Sequence, residues 1–176
     1  MYQEKMVEDV VREVLKSMLQ KPGAVKEAVK VPEAAGKAYG LNPAADYPLA
    51  NKRPELVKSP TGKKLADITL EKVLHGEITA EDVRISPETL RMQAEIAEGI
   101  GRTQFAGNLR RAAELTVVPD GRILEIYNAL RPYRSTKQEL LDIAEELETK
   151  YAAKINAALV REAAGVYERR NRLRED

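Results

Sequence analysis

The chain has 176 residues, 43% hydrophobic and 32% charged, with 29 basic against 28 acidic side chains, one histidine, no tryptophan and no cysteine. The missing thiols exclude disulfides, thiolate catalysis and Cys-ligated zinc, and the near-neutral balance excludes a global field that would draw the chain to nucleic acid or an anionic membrane. With aromatic residues at only 5%, the core is left to Ala, Val, Leu and Ile and is thin, so a partner protein is expected to complete it.

Residues 1–19 are predicted as an amphipathic helix, with Val7, Val10, Val11, Val14, Leu15 and Met18 recurring at helical spacing. Glu8 before Arg12 and Glu13 before Lys16 support its solvated side. Glu4, Glu8, Asp9 and Glu13 interrupt any apolar run, so the stretch reads as neither signal peptide nor membrane span, and a soluble intracellular chain is expected. From 20 to 45 the pattern dissolves into Pro22, Gly23, Pro32, Gly36, Gly40 and Pro43 among alanines and lysines, which reads as a flexible linker.

The third unit, 46–176, is predicted as an all-α body. Pro48, Pro54 and Pro60 disfavour helix around them, so Tyr47 to Lys58 is expected as an extended arm anchored by Tyr47, Leu49, Leu56 and Val57. A short helix at 70–75 follows Thr69 and stops at Gly76, and Thr79 with Asp82 resembles a capping box around a single turn. Ser86 and Pro87 open a helix to about residue 98 that buries Leu90, Ala94 and Ala97. The GIG at 99–101 breaks it, and a helix over 102–116 carries Phe105, Leu109, Ala112, Ala113 and Leu115.

Pro119 opens the next helix, predicted to bury Ile123, Leu124, Tyr127 and Leu130 before Pro132 stops it. In STKQ, Ser135 is read as the cap with Gln138 reaching back. No proline follows, and the only later glycine is Gly165. Leu140, Ala144, Leu147, Tyr151, Ile155, Ala158 and Leu159 keep one stripe, so one long helix, or two nearly collinear ones, is expected from 136 to about 171.

The inventory is poor in chemistry. His75, the single histidine, sits at a helix end where the dipole favours it, and it cannot build a zinc site or a triad. GIGRTQ lacks the third glycine and the preceding strand of a nucleotide loop. Glu145, Glu146 and Glu148, like Asp67, Glu71 and Glu77, read as solvated charge. Arg110, Arg111 and the terminal ERRNRLRED lack the aromatic stacking residues and wider basic stripe of a nucleic-acid surface. Arg131, Tyr133 and Arg134 at an interhelical corner fit a protein interface. They fit equally an Arg capping carbonyls and a Tyr covering the core.

The blocks DYPLANKRPELVKS, ISPETLR, RRAAELTVVPDGRILEIYNALRPYRSTKQELLDIAEELE and KINAALVREAAGVYERR resemble, in the same order, the small (gamma) subunit family of adenosylcobalamin-dependent diol dehydratases, the propanediol and glycerol enzymes. The resemblance spans 46 to about 172 and is most specific in AELTVVPDGRILEIYNALRPYRST, with Leu56 standing where an aromatic is usual. It implies a non-catalytic subunit of a carbon-oxygen lyase, in which adenosylcobalamin is bound by partner large and medium subunits and starts the radical that dehydrates the diol to an aldehyde. It further implies a dimer of heterotrimers in the bacterial cytoplasm. It suggests that the amino-terminal helix attaches the enzyme to the shell protein of a bacterial microcompartment, the alternative being that this helix packs on a neighbouring subunit. A stand-alone helical adaptor recruiting cargo is the rival reading of the whole chain.

Overall fold

A computed structural model of the chain describes residues 38–175. The helix expected at 1–19, with Val7, Val10, Val11, Val14, Leu15 and Met18, and the linker up to residue 37 lie outside the described residues. Within them are eight α-helices, three 3-10 turns and no strand, the one β feature being an isolated antiparallel bridge between Lys58 and Lys64. The fold is all-α.

The centre of the amino-terminal half is α4, Pro87–Gly99, started by Ser86, whose side chain accepts from the Thr89 amide at 3.2 Å. Three preceding pieces pack on it: the strip at 39–41, α1 (Pro43–Asp46) and α2 (Leu49–Lys52). The Tyr39 and Leu41 amides donate to the Glu95 carboxylate at 2.7 and 2.8 Å, and Leu41 and Leu49 are buried against Met92 and Ile96. Residues 38–45, expected to be linker, therefore belong to the body. Composition there is dominated by Ala, Gly and Pro, and it cannot show that Tyr39 and Leu41 meet a groove whose rim carries an acceptor for their amides. At the far end of α4, a Cβ on Gly99 would lie 2.6 Å from the Pro43 ring, so glycine lets α1 seat directly on the helix.

The extended arm expected over 47–58 is instead α2 followed by a 3-10 turn at Pro54–Leu56. Pro48 stands at the N-cap of the first and Pro54 inside the first turn of the second, where a missing amide costs nothing, so these prolines start helical turns. The segment from 58 to 85 has little core. Its helix α3 (Leu70–Leu74) is capped by Thr69, ends at His75 and Gly76 (φ 73°), and buries none of its residues. What holds the segment is Asp82, 3% exposed, which accepts from the Thr61 hydroxyl at 2.5 Å, Lys63 Nζ at 2.9 Å and the Thr79 amide at 2.7 Å. The expected Thr79/Asp82 capping box is part of this hub.

Helix α5, Thr103–Leu115, folds back on α4 after the Gly99–Arg102 break, with Gly101 at φ 78°. Ala94, Ala97 and Ala106 are almost fully buried between them, and side chains this small let the helix axes approach closely. Ala106 and Ala113 point inward, while Phe105 and Ala112, expected inside, are exposed. The larger core belongs to α6 (Asp120–Ala129), α7 (Lys137–Tyr151) and α8 (Lys154–Arg169) and contains Ile126, Leu140, Ala144, Leu147, Ala157 and Val160. In α6 the buried residue is Ile126, with Ile123 and Leu130 half-buried, and Leu124 and Tyr127 face outward against expectation.

The expected long carboxy-terminal helix is a hairpin. Ala152 takes a left-handed conformation (φ 54°), the Ala153 amide returns to the Leu147 carbonyl at 2.8 Å, and α8 runs back along α7 so that Lys137 reaches Glu168 at 2.8 Å. The reversal also changes the phase of the stripe: Ala157, Val160 and Ala164 are buried, whereas Ile155, Ala158 and Leu159 are exposed. The cap of α7 sits one residue later than expected, at Thr136 paired with Glu139, because the Ser135 hydroxyl is engaged by the Ala129 carbonyl at 3.0 Å.

Candidate partner-binding surface

The body offers few groups for chemistry. Among the described residues no cluster of three His, Cys, Asp or Glu side chains could hold a metal ion, and His75 is exposed at the end of α3. A groove of about 330 Å³ beside α4 is bordered by Tyr39, Glu55, Leu56, Ser59, Ser86 and Met92, and its two serine hydroxyls are paired with the Thr61 and Thr89 hydroxyls. Buried side-chain polar atoms in the described residues all have partners. Among the described residues the carboxylates with displaced proton affinities are engaged in local hydrogen bonds: the Asn42 amide and Arg53 hold Asp46 low, Arg53 holds Glu55 low, the Thr61 hydroxyl and the Thr79 amide hold Asp82 low, Arg110 holds Glu98 low, and Arg174 and the Thr136 amide hold Glu139 low.

The residues singled out for contacts divide into two groups. Leu49 is buried, and Leu56 and Val57 are half-buried, all three on this chain's own α4 cluster, so they anchor the arm internally. Tyr47, preceding a cis proline, is 65% exposed. Arg131, Tyr133 and Arg134 form the exposed corner between α6 and α7. Tyr133 takes a left-handed conformation (φ 63°), its amide donates to the Arg172 carbonyl at 2.7 Å, and the Arg172 guanidinium both bonds its hydroxyl and stacks 5.3 Å from its ring centre. Arg174 ties the other side, donating to the Arg134 carbonyl at 2.9 Å and to Glu139 at 2.8 Å. The corner is thus clamped by residues 172–174 and does not cover the core. The guanidiniums of Arg131 and Arg134 face solvent with no carboxylate partner among the described residues.

Two features escaped sequence reasoning. Glu114, at the end of α5, accepts from the Ile155 and Asn156 amides, both at 3.0 Å, and from Asn156 Nδ2 at 2.8 Å. It thereby caps α8, whose own N-cap position is Ala153 and supplies no side-chain acceptor. No local motif announces a cap delivered from forty residues away. The second is the apolar character of 65–85, where Leu70, Leu74 and Val83 are each more than 60% exposed. The signal was available: a helix held between Thr69 and Gly76 is too short to develop an inward face.

The dehydratase small subunit family model matches residues 43–174. The propanediol dehydratase small subunit of Salmonella typhimurium is 57% identical over 170 residues, covering 97% of this chain and 96% of that protein. The protein of the same description from Citrobacter freundii is 54% identical over 168 residues, covering 96% and 98%. A chemically quiet helical body with exposed apolar and cationic surface is what a subordinate chain of an assembly needs, and by its sequence this chain belongs to the dehydratase small subunit family.

Proposed function

We propose that this chain is the small subunit of an adenosylcobalamin-dependent diol dehydratase, which converts 1,2-propanediol or glycerol to the aldehyde plus water, and that its own role is assembly. The observation that carries this is the identity of 57% to a propanediol dehydratase small subunit along nearly the whole of both chains. The residues described do not fit a cobalamin site, since a lone exposed histidine at a helix end offers one donor and no enclosing pocket. The cofactor and the chemistry belong to the large and medium subunits, and no step of the reaction is assigned to this chain. Tyr47 and the Arg131, Tyr133 and Arg134 corner are contact points for those subunits, in a dimer of heterotrimers. The aromatic and guanidinium groups there are of the kind enriched at protein interfaces.

The segment 1–19, expected from its sequence to be an amphipathic helix, is proposed to attach the enzyme to the shell protein of a bacterial microcompartment in the cytoplasm, supported by its six aliphatic side chains at helical spacing. Copurification of a tagged chain from its native host, followed by a cobalamin-dependent aldehyde assay, tests the main reading. Aldehyde formation in the tagged fraction is expected. Elution of the chain apart from active dehydratase would instead favour the stand-alone adaptor.

A further inference from the structure

We propose that the outward side of α6 and the corner it runs into, centred on Leu124, Tyr127, Arg131 and Arg134, dock on the large dehydratase subunit, against an apolar surface set beside carboxylates. The inference rests on the reading of this chain as a dehydratase small subunit, and it deepens the assignment of the 131–134 corner by extending it along α6 and naming what meets it. Leu124 and Tyr127 are 69% and 72% exposed. With Asn128 they stand at spacings of three and four on the side of α6 turned from its buried residue Ile126. Single exposed apolar residues are ordinary on any protein. Tyrosines and arginines gathered on one element and its adjoining corner are the side chains that dominate binding energy at protein interfaces.

The arginines of this surface have no task inside the chain. The last-turn carbonyls of α6 that an arginine could cap are already met: Ile126 by the Leu130 amide, Asn128 by the Arg131 amide, Ala129 by the Ser135 hydroxyl and Leu130 by the Tyr167 hydroxyl. The Arg131 and Arg134 guanidiniums are thus left exposed, with no carboxylate partner among the described residues. Tyr133, half exposed between them, is fixed in place by Arg172, which lowers the ordering cost at binding.

Charge identifies the occupant, because the acidic groups bordering this surface are already spoken for. Asp120 pairs with Arg84 at 2.7 Å, Glu125 with Arg122 at 2.6 Å, Glu139 with Arg174 and Glu168 with Lys137, both at 2.8 Å. Even with Glu175 and Asp176 counted, Arg131, Arg134, Arg170 and Arg172 leave the corner cationic. Complementary potential calls for Asp or Glu on the partner. A second copy meeting the same surface about a two-fold axis would set these arginines against their own kind, which disfavours self-association. Carboxylates beside an apolar surface on the large subunit satisfy both the arginines and the pair Leu124 and Tyr127.

The test coexpresses the tagged full chain with the large and medium subunits and measures retention of the large subunit for wild type, L124S/Y127S, R131Q/R134Q and R131E/R134E. L124S/Y127S should lower retention at least about tenfold. R131E/R134E should lower it further than R131Q/R134Q, because the first adds repulsion from carboxylates where the second only removes attraction, and the gap between them should narrow as salt is raised. Melting of each variant chain should stay within the range of ordinary surface substitutions, since the replaced side chains are exposed. Normal wild-type retention with undiminished L124S/Y127S retention, or with R131E/R134E retained as well as wild type, overturns the docking assignment alone. Failure of the wild-type chain to retain any large subunit overturns the underlying reading as well. Sedimentation of the chain by itself as a dimer that L124S/Y127S dissolves would make a second copy the occupant and overturn the proposal.

Discussion

Replacing Glu114 by Ala should destabilise the chain more than any other single change at a surface carboxylate, because one side chain there joins two halves of the fold. Its oxygens accept two backbone amides at the start of α8 and the side-chain amide of Asn156, a residue only 6% exposed. Loss of a helix cap costs about 1 kcal/mol. Removing a negative charge from the positive end of the dipole adds roughly 0.5–1 kcal/mol, and a charge-assisted bond to a buried amide about 1.5 kcal/mol. The sum is about 3 kcal/mol. Asn156 Nδ2 keeps its bond to the Arg111 carbonyl, which prevents the larger penalty of an orphaned donor. For a folded body of this size, that corresponds to a fall in melting temperature of about 10 °C. In urea the midpoint should drop with the slope unchanged. E114Q, which keeps an acceptor and loses the charge, should fall about a third as far. The assay is denaturant unfolding of the full chain followed by circular dichroism. An E114A midpoint within about 0.5 kcal/mol of wild type, the range of ordinary surface substitutions, would refute the reasoning.

Four further outcomes are expected. A152G should raise stability by about 1 kcal/mol in thermal melts, because glycine adopts the left-handed turn between α7 and α8 without the Cβ clash, and A152V should lower it. The Asp82 carboxyl is held far below its ordinary value of 3.8, first by the Thr61 hydroxyl, then by the Thr79 amide and Lys63. Its folded value lying below its unfolded one, its contribution is complete above about pH 4 and drains away as the pH falls further; melting curves of D82N should start lower at neutral pH and depend less on acid. Y133A/R134A should reduce recovery of the assembled dehydratase while turnover per recovered complex stays unchanged, read by pull-down and aldehyde assay. V10E/L15E should leave soluble dehydratase activity intact and abolish association with purified compartments, and persistence of the variant in them would end the attachment reading.

Where structure is dictated by neighbours in the chain, the sequence was legible. Ser86–Pro87, Thr69 with Gly76, and Thr79 with Asp82 announce their elements because capping is a matter of three or four residues. Failures fall where a distant group decides. Read as one helix, the stripe from Leu140 to Leu159 is continuous; two alanines with no turn signature reverse the chain, since packing α8 on α7 outweighs the roughly 1–2 kcal/mol cost of a left-handed alanine. Helix α6 turns Ile126 inward in place of Leu124 and Tyr127, a choice set by α7 and α8. The extended arm expected at 47–58 fails because Pro48 and Pro54 stand where helical turns begin, and there proline starts a helix instead of breaking it. Of the candidate contact residues, Tyr47 and the corner at 131–134 are exposed, whereas Leu49 is buried against α4.

The clamp on that corner gives residues 172–174 a task out of proportion to their length. Arg172 and Arg174 work as a buckle: the Tyr133 backbone is fastened in its uncommon conformation by a strip with almost no hydrophobic footing of its own beyond Leu173. A cut after Arg169 or Arg170, as trypsin would make, leaves α8 whole and yet lets the corner relax. Trimming of a few residues there could therefore uncouple a properly folded body from whatever grips it.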